Sequence, residues 1–187
     1  MTTTFNMPAF VQHACNVHDE TNQKYANMPY STHIMAVVSE AVNNLSCIDN
    51  IDENTKNIII FGAAFHDAIE DARLTYNDVL KIANKHFSKE DAVTATEISY
   101  ALTNEKGRNR AERANEKYYE GIRNTKYASY VKFCDRLANY KFSKAQNSRM
   151  CTMYEKEMPE FLDHIGATVE MRTIMSNVMQ GSSEFYF

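Results

Sequence analysis

The feature that most limits how this chain can fold is an apolar run that leads directly into a cluster of ionisable residues. Eight consecutive nonpolar residues span Ile58 to Phe65, and His66, Asp67, Glu70 and Asp71 follow within six positions. A helix that is apolar on nearly every side is normally buried at the centre of a bundle. Burying the ionisable cluster beside it is costly unless a cation compensates the charge. The run therefore predicts a central helix that ends at a cation site, or else at a solvated surface.

Helical periodicity extends over most of the chain, and only 5 Gly and 3 Pro interrupt its 187 residues. Few breakers favour long helices over a many-turned β fold. We expect an all-α, compact bundle of about eight helices in a single domain, residues 1–187, with a core over about 8–165 and a C-terminal helix over about 167–180. Its helices should include about Pro8–Tyr25, one opened by Ser31 or Thr32, one from an Asn54 cap to about Glu70, and about Asn109–Asn124.

Charge and hydropathy limit the partners. The net charge is −4, which gives no global reason to bind nucleic acid. The eight-residue apolar run is too short to span a membrane, and residues Met1–Asn6 lack the character of a signal peptide. The four cysteines form no CxxC pair, so we interpret them as reduced thiols. These features predict a cytoplasmic protein without a membrane or nucleic-acid partner.

Two isolated polar residues in apolar surroundings extend the candidate cation site. His33 lies in an apolar helix start, where a lone histidine is more often a hydrogen-bonded core residue. Asp135 is the single acid in another apolar stretch, where Arg136 offers a simple ion pair as the alternative. With His66 and Asp67 they would make a mixed nitrogen and oxygen site, which suits Mn, Fe, Co, Zn or Mg with positions open for water.

The order His33, His66-Asp67, Asp135 resembles the H…HD…D pattern of the HD-domain phosphohydrolase superfamily. The finer pattern is similar to the hydrolase domain of the RelA/SpoT alarmone enzymes, especially its small stand-alone hydrolases. Four stretches between roughly residues 11 and 165 carry this resemblance in the family's order: Pro29-Tyr30-x-x-His33, Phe65-His66-Asp67-x-x-Glu70-Asp71, Leu102-Thr103-Asn104-Glu105-Lys106 and Val131-Lys132-x-x-Asp135-Arg136-Leu137-x-Asn139.

The resemblance implies roles for ten residues. One divalent metal, Mn²⁺ first and Zn²⁺, Fe²⁺, Co²⁺ or Mg²⁺ as alternatives, would be held by His33, His66, Asp67 and Asp135. The attacking water would be aligned and activated by Glu70 and Asp71. Asn139 would touch the substrate ribose or the metal shell, and Lys106 a phosphate. The nucleotide would also meet Lys24 and, at its base, the aromatic ring of Tyr154.

The function implied is hydrolysis of a purine nucleotide, as by a (p)ppGpp 3′-pyrophosphohydrolase. Three substrate-side positions depart from the family: Tyr25 replaces a common Lys, Ala138 the usual His, and Phe142 a small polar residue. These departures keep open a phosphatase or nucleotidase acting on a dNMP, a dNTP or NADPH, and a nucleotide-binding module without turnover. Small HD hydrolases are often dimers, so a homodimer is a further expectation.

Overall fold

The apolar run forms the central helix of the protein. The computed structural model describes residues 7–104 and 108–181, apart from the side chains of residues 110 and 111, and Lys106 therefore lies outside the described residues. The central helix, α3, spans Glu53–Phe65, and every residue from Ile58 to Phe65 is buried. Its first turn is capped by Asp52, which accepts a 2.7 Å hydrogen bond from the Thr55 amide, so the predicted Asn54 cap is wrong by two residues.

Helices make up most of the described chain, which confirms the predicted all-α class. The other helices are α1 (Ala9–Glu20), α2 (Ser31–Asn43), α4 (Tyr76–Ala83), α5 (Lys89–Ala101), α6 (Arg110–Arg113), α7 (Glu116–Asn124), α8 (Ala128–Ala145), α9 (Arg149–His164) and α10 (Val169–Met179), with a short 3₁₀ turn at Leu45–Cys47.

The first helix is shorter than predicted because a small hairpin follows it. The expected helix to Tyr25 stops at Glu20, and Asn22 has a left-handed φ of 56°. Two antiparallel strands follow, β1 (Lys24–Tyr25) and β2 (Met28–Pro29), with Tyr25 opposite Met28. The turn between them holds Ala26 at a φ of 53°, a conformation that costs free energy for a residue with a Cβ atom.

Three further helix limits differ from expectation. The helix predicted over Asn109–Asn124 is divided into α6 and α7, because the side chain of Asn115 accepts from the Tyr118 amide and starts a new helix. The N-cap of α2 is Tyr30, with no side-chain cap, so neither Ser31 nor Thr32 caps it. The central helix ends at Phe65 and not near Glu70.

The packing of α2 and α8 on α3 brings the predicted site together. Lys141 of α8 donates to the carboxylate of Glu40 on α2 at 2.7 Å, and the Tyr130 hydroxyl donates to the Ala41 carbonyl at 2.8 Å. These two contacts fix α8 against the C-terminal half of α2. Such cross-links between helices set the register of the residues that face each other across the bundle.

Two sequence expectations concern groups outside the site. All four cysteines are free thiols, and three of them are buried. Within the described part of the chain, no helix has the length and apolar character needed to cross a membrane.

Candidate metal centre

Four side chains, two from helices and two from the turn after α3, come together at the C-terminal end of α3. His33 lies in the first turn of α2, His66 directly follows α3, Asp67 is the next residue, and Asp135 is in the middle of α8. Only 2% of His33, 1% of His66 and 8% of Asp135 is exposed. The structure thus brings together the four residues that the sequence singles out as metal ligands.

The facing atoms are spaced as ligands of one ion would be. Nε2 of His33 lies 3.2 Å from Nε2 of His66, 3.3 Å from Oδ1 of Asp135 and 3.7 Å from Oδ2 of Asp67. Nε2 of His66 lies 2.8 Å from Oδ2 of Asp67 and 3.8 Å from Oδ1 of Asp135. For bonds of about 2.1 Å, neighbouring ligands lie about 3.0 Å apart around an octahedral ion and about 3.4 Å apart around a tetrahedral one. The cluster of His33, His66 and Asp135 could therefore hold a divalent metal.

The two imidazoles are oriented in different ways. Nδ1 of His66 donates to the Ala63 carbonyl at 2.8 Å, which leaves the lone pair of Nε2 for a metal. Nδ1 of His33 is buried without a hydrogen-bond partner in the described structure. The His33 ring is instead held by two tyrosines: Tyr25 stacks on it with centroids 4.7 Å apart, and Tyr30 meets it edge-on at 5.4 Å.

Charged neighbours favour the ionised form of both carboxylates, which is the form that binds a metal. Burial alone would raise the pKa of Asp67, but His66 and His33 outweigh it and hold that pKa well below its usual range. The same opposition at Asp135 is decided by Lys132 and the imidazoles, which lower its pKa. Burial alone would lower the pKa of His33, but hydrogen bonds to Asp135 and Asp67 raise it to about 9. A cation bound here would compete with the proton that the raised pKa favours on His33.

Asp135 is fixed from two sides by its own helix. Lys132 donates to Oδ2 at 3.0 Å, and the Asn139 amide donates to Oδ1 at 2.6 Å. Arg136 takes no part, because it donates to Glu157 at 3.2 Å and its guanidinium lies over the Phe161 ring. The sequence offered a salt bridge between Asp135 and Arg136 as the alternative, but Asp135 pairs with Lys132. Oδ1 of Asp135 still faces the histidines.

The two predicted catalytic acids have different surroundings. The Tyr30 hydroxyl donates to Oδ2 of Asp67 at 2.5 Å and lies 3.4 Å from Oδ2 of Asp71. Burial, followed by the charges of Asp67 and Glu70, raises the pKa of Asp71. Glu70 is exposed, and its carboxylate accepts from the backbone amide and the side-chain amide of Asn104 at 2.8 to 3.2 Å. Asp71 is therefore linked to the metal cluster, whereas Glu70 faces Asn104.

The predicted substrate-binding residues are placed as follows. Lys24 is exposed on β1, next to Tyr25. Asn139 uses its amide nitrogen on Asp135 and its carbonyl on the Tyr25 hydroxyl, at 2.8 Å. Tyr154 is half-buried, with the Arg136 guanidinium 4.7 Å from its ring centroid. Asn139 is thus part of the support of Asp135.

Sequence reasoning missed the residues that orient the ligands. Tyr30 lies three positions before His33, and Lys132 lies three positions before Asp135. Both belong to motifs whose predicted functional residues were other side chains. Tyr25 was expected near the substrate and away from the metal, but its ring contacts His33 and, at 4.5 Å, Phe142. Two of the three departures from the family pattern thus contact each other beside the candidate metal site.

Fold and site together define a mainly helical bundle in which a buried cluster of two histidines and an aspartate could hold a metal ion. The chain matches the solved structure of a metazoan ortholog of SpoT, which hydrolyzes ppGpp and plays a role in starvation responses. The match has a TM-score of 0.67 at 18% identity and covers 98% of this chain and 100% of the other. It confirms the predicted fold. No protein-family model matches the sequence, and a search of curated proteins by sequence finds no match.

Proposed function

We propose that this chain is a metal-dependent phosphohydrolase of a purine nucleotide and removes the 3′-pyrophosphate of ppGpp or pppGpp. The observation that carries the proposal is the cluster of His33, His66 and Asp135, with Asp67 in contact with both histidines. The fold supports it, because a protein of the same fold hydrolyzes ppGpp. Mn²⁺ is the ion we propose first, and Zn²⁺, Fe²⁺, Co²⁺ and Mg²⁺ also suit the mixed nitrogen and oxygen donors.

The protein's own groups would hold and polarise the reactants. A bound divalent cation offsets phosphate charge and lowers the pKa of water. Asp71 would align the attacking water and accept its proton, because a carboxylate with a raised pKa is a better base than an ordinary one. Glu70 would orient the water from the position that Asn104 fixes. Tyr30, which touches both Asp67 and Asp71, would keep the base beside the metal cluster.

The nucleotide would be bound by residues around the mouth of the site. Lys24 is exposed on the hairpin and would meet a phosphate, as would Lys106. The half-buried ring of Tyr154 would face the base. Asn139 would act on the substrate mainly through Asp135, because its amide nitrogen and carbonyl both have protein partners.

The direct test is product analysis. Purified protein with Mn²⁺ would be incubated with ppGpp, NADPH, and deoxynucleoside mono- and triphosphates. Pyrophosphate released from ppGpp alone is the expected result. Release of phosphate or triphosphate from one of the other nucleotides would overturn the substrate assignment but would leave the protein a hydrolase. No product from any member, with metal demonstrably bound, would favour a nucleotide-binding module.

A second candidate is hydrolysis of a different nucleotide at the same centre. The contact between Tyr25 and Phe142 favours it, because two aromatic rings stand where the resembling enzymes carry a Lys and a small polar residue. Neutral rings attract a pyrophosphate less than a lysine does. A reaction that removes a single phosphate, from a dNMP or from the 2′ position of NADPH, would fit that loss of positive charge.

A further inference from the structure

The hairpin between α1 and α2 delivers one aromatic residue to the candidate metal centre. Tyr25 ends β1, and its side chain contacts α2 through His33 and α8 through Asn139 and Phe142. We propose that Tyr25 is a positioning residue of this centre: its hydroxyl orients Asn139, which holds Asp135, and its ring fixes the imidazole of His33. The proposal rests on the metal site proposed above.

The first step is the hydrogen-bond chain. The Tyr25 hydroxyl donates to Oδ1 of Asn139 at 2.8 Å, and Nδ2 of Asn139 donates to Oδ1 of Asp135 at 2.6 Å and to the Asp135 carbonyl at 3.0 Å. An amide rotated by 180° would present its oxygen to the carboxylate and repel it. Asp135 offers Asn139 only acceptor atoms, so the attractive orientation turns the Asn139 oxygen towards Tyr25. The Tyr25 hydroxyl then donates to that oxygen and holds the amide in place. The hydrogen bonds from Tyr25 through Asn139 therefore fix the position of Oδ1 of Asp135, which lies 3.3 Å from Nε2 of His33.

The second step concerns the ring. Metal-binding histidines usually donate their second nitrogen to a protein acceptor, which fixes the ring. His66 does so through Ala63, whereas Nδ1 of His33 has no such acceptor in the described structure. The Tyr25 ring stacks on His33 with an angle of 23° between the planes. Stacking thus supplies the orientation that a hydrogen bond supplies at His66.

The environment of Tyr25 keeps it suited to both tasks. The residue is half-buried, and its other neighbour, the Phe142 ring, lies 4.5 Å away at 49°. A tyrosine hydroxyl ordinarily has a pKa of about 10, so it carries its proton and can donate at neutral pH.

The test measures metal binding in the absence of substrate. Tyr25→Phe removes the hydroxyl and keeps the ring, and Tyr25→Leu removes both. The affinity for Mn²⁺ would be titrated, and the visible spectrum of the Co²⁺-loaded protein would report ligand geometry. We expect Tyr25→Phe to weaken Mn²⁺ binding about tenfold, at the lower end of the effects of outer-shell changes. Tyr25→Leu should weaken it further and shift the Co²⁺ spectrum.

A double variant separates positioning from general damage. In an Asn139→Ala background, Tyr25→Phe should change Mn²⁺ affinity by less than about twofold. The reason is that substitutions of residues linked in one hydrogen-bond chain do not have additive effects. Tyr76→Phe is the matched control: it loses a hydroxyl that donates to Glu97 at 2.7 Å on α5, and it should bind Mn²⁺ as the unaltered protein does. Circular dichroism would establish that each variant is folded.

Two results would overturn the proposal. One is unchanged Mn²⁺ affinity and an unchanged Co²⁺ spectrum in folded Tyr25→Phe. The other is a full, additive loss when the same change is made in Asn139→Ala. Neither depends on hydrolysis. A protein that shows the expected metal-binding pattern but cleaves no nucleotide would refute the proposed function alone.

Discussion

The hydroxyl of Tyr30 donates a 2.5 Å hydrogen bond to Oδ2 of Asp67, the same oxygen that lies 2.8 Å from Nε2 of His66. Tyr30 immediately precedes α2, and Asp67 follows α3. The bond therefore joins the residue before α2 to the turn after α3. It also limits the rotation of the Asp67 carboxylate.

Replacing Tyr30 with Phe should weaken the metal centre. Asp67 would lose the donor that orients Oδ2, while the ring contact with His33 at 5.4 Å would remain. Loss of such a support typically costs about 10- to 100-fold in metal affinity or activity. Titration with Mn²⁺ would measure the change. Affinity within twofold of the unaltered protein would show that Asp67 needs no such support.

Replacing His66 with Ala should remove the metal. The variant loses one of two nitrogen donors and leaves Asp67 and Asp135 without the imidazole that faces both. Metal content per chain after dialysis should fall from one to near zero. His164→Ala is the control, because His164 lies in an exposed contact with Glu160 and a stack on Tyr119. Retained stoichiometric metal in His66→Ala would refute the proposed site.

Replacing the two acids should separate chemistry from metal binding. Glu70→Gln and Asp71→Asn keep the shape of each side chain and remove its charge. Hydrolysis should fall by about 10²-fold or more in Asp71→Asn, the magnitude of general base catalysis, while metal content stays at that of the unaltered protein. Glu70→Gln should lose less, because it can still accept from Asn104. Full activity in both variants would contradict the catalytic assignment.

The stability of the metal-free protein should fall as pH rises from 6.5 to 9. The pKa of His33 rises from its ordinary 6.5 to about 9 in the folded chain, since hydrogen bonds to Asp135 and Asp67 outweigh burial. A histidine whose pKa is raised by folding stabilises the folded state fully when the pH is below its pKa in the unfolded chain. That stabilisation is lost as the pH rises through its pKa in the folded chain. Melting temperatures should drop by several degrees over this window. The decrease of melting temperature with pH should be smaller in His33→Gln, which lacks the titrating imidazole. It should also be smaller with Mn²⁺ present, because the metal replaces the proton.

The packing of α3 can be tested with a pair of glycines. A Cβ atom on Gly62 would lie 2.6 Å from Cγ2 of Ile98, whereas one on Gly121 would meet nothing within 4 Å. Gly62→Ala should destabilise the fold by about 1–3 kcal/mol through overpacking. Gly121→Ala, in an exposed part of α7, should stabilise it by about 0.5–1 kcal/mol. Chemical denaturation measures both, and the double variant Gly62→Ala with Ile98→Ala should lose less than the sum of the two single losses, because the two side chains are in contact.

The sequence predicts those parts of the site that follow from helix patterns. The buried character of α3 and the polar residues in apolar surroundings, His33 and Asp135, are visible in the residue order. Their convergence was an expectation from the family resemblance. The match of the whole chain to a ppGpp-hydrolyzing protein confirms the fold that this resemblance implied.

The remaining features depend on tertiary contacts. Strands of two residues are too short to show an alternating pattern, so the hairpin that carries Tyr25 was not predictable. The contact of Tyr25 with Asn139 spans 114 positions. The end of α3 also depends on the site: Nδ1 of His66 takes the Ala63 carbonyl, which in a continuing helix would accept from the Asp67 amide.

The pairing of Glu40 with Lys141 has a consequence for metal exchange. The pair and the Tyr130 bond to Ala41 lie about 10 Å along α2 from His33, at 1.5 Å per residue. The spacing of α2 and α8 is therefore set in part by contacts outside the candidate metal site. An ion could leave and another enter without refolding of the helices. The ion that is bound would then be decided by the metal supply and by the softness of the donors.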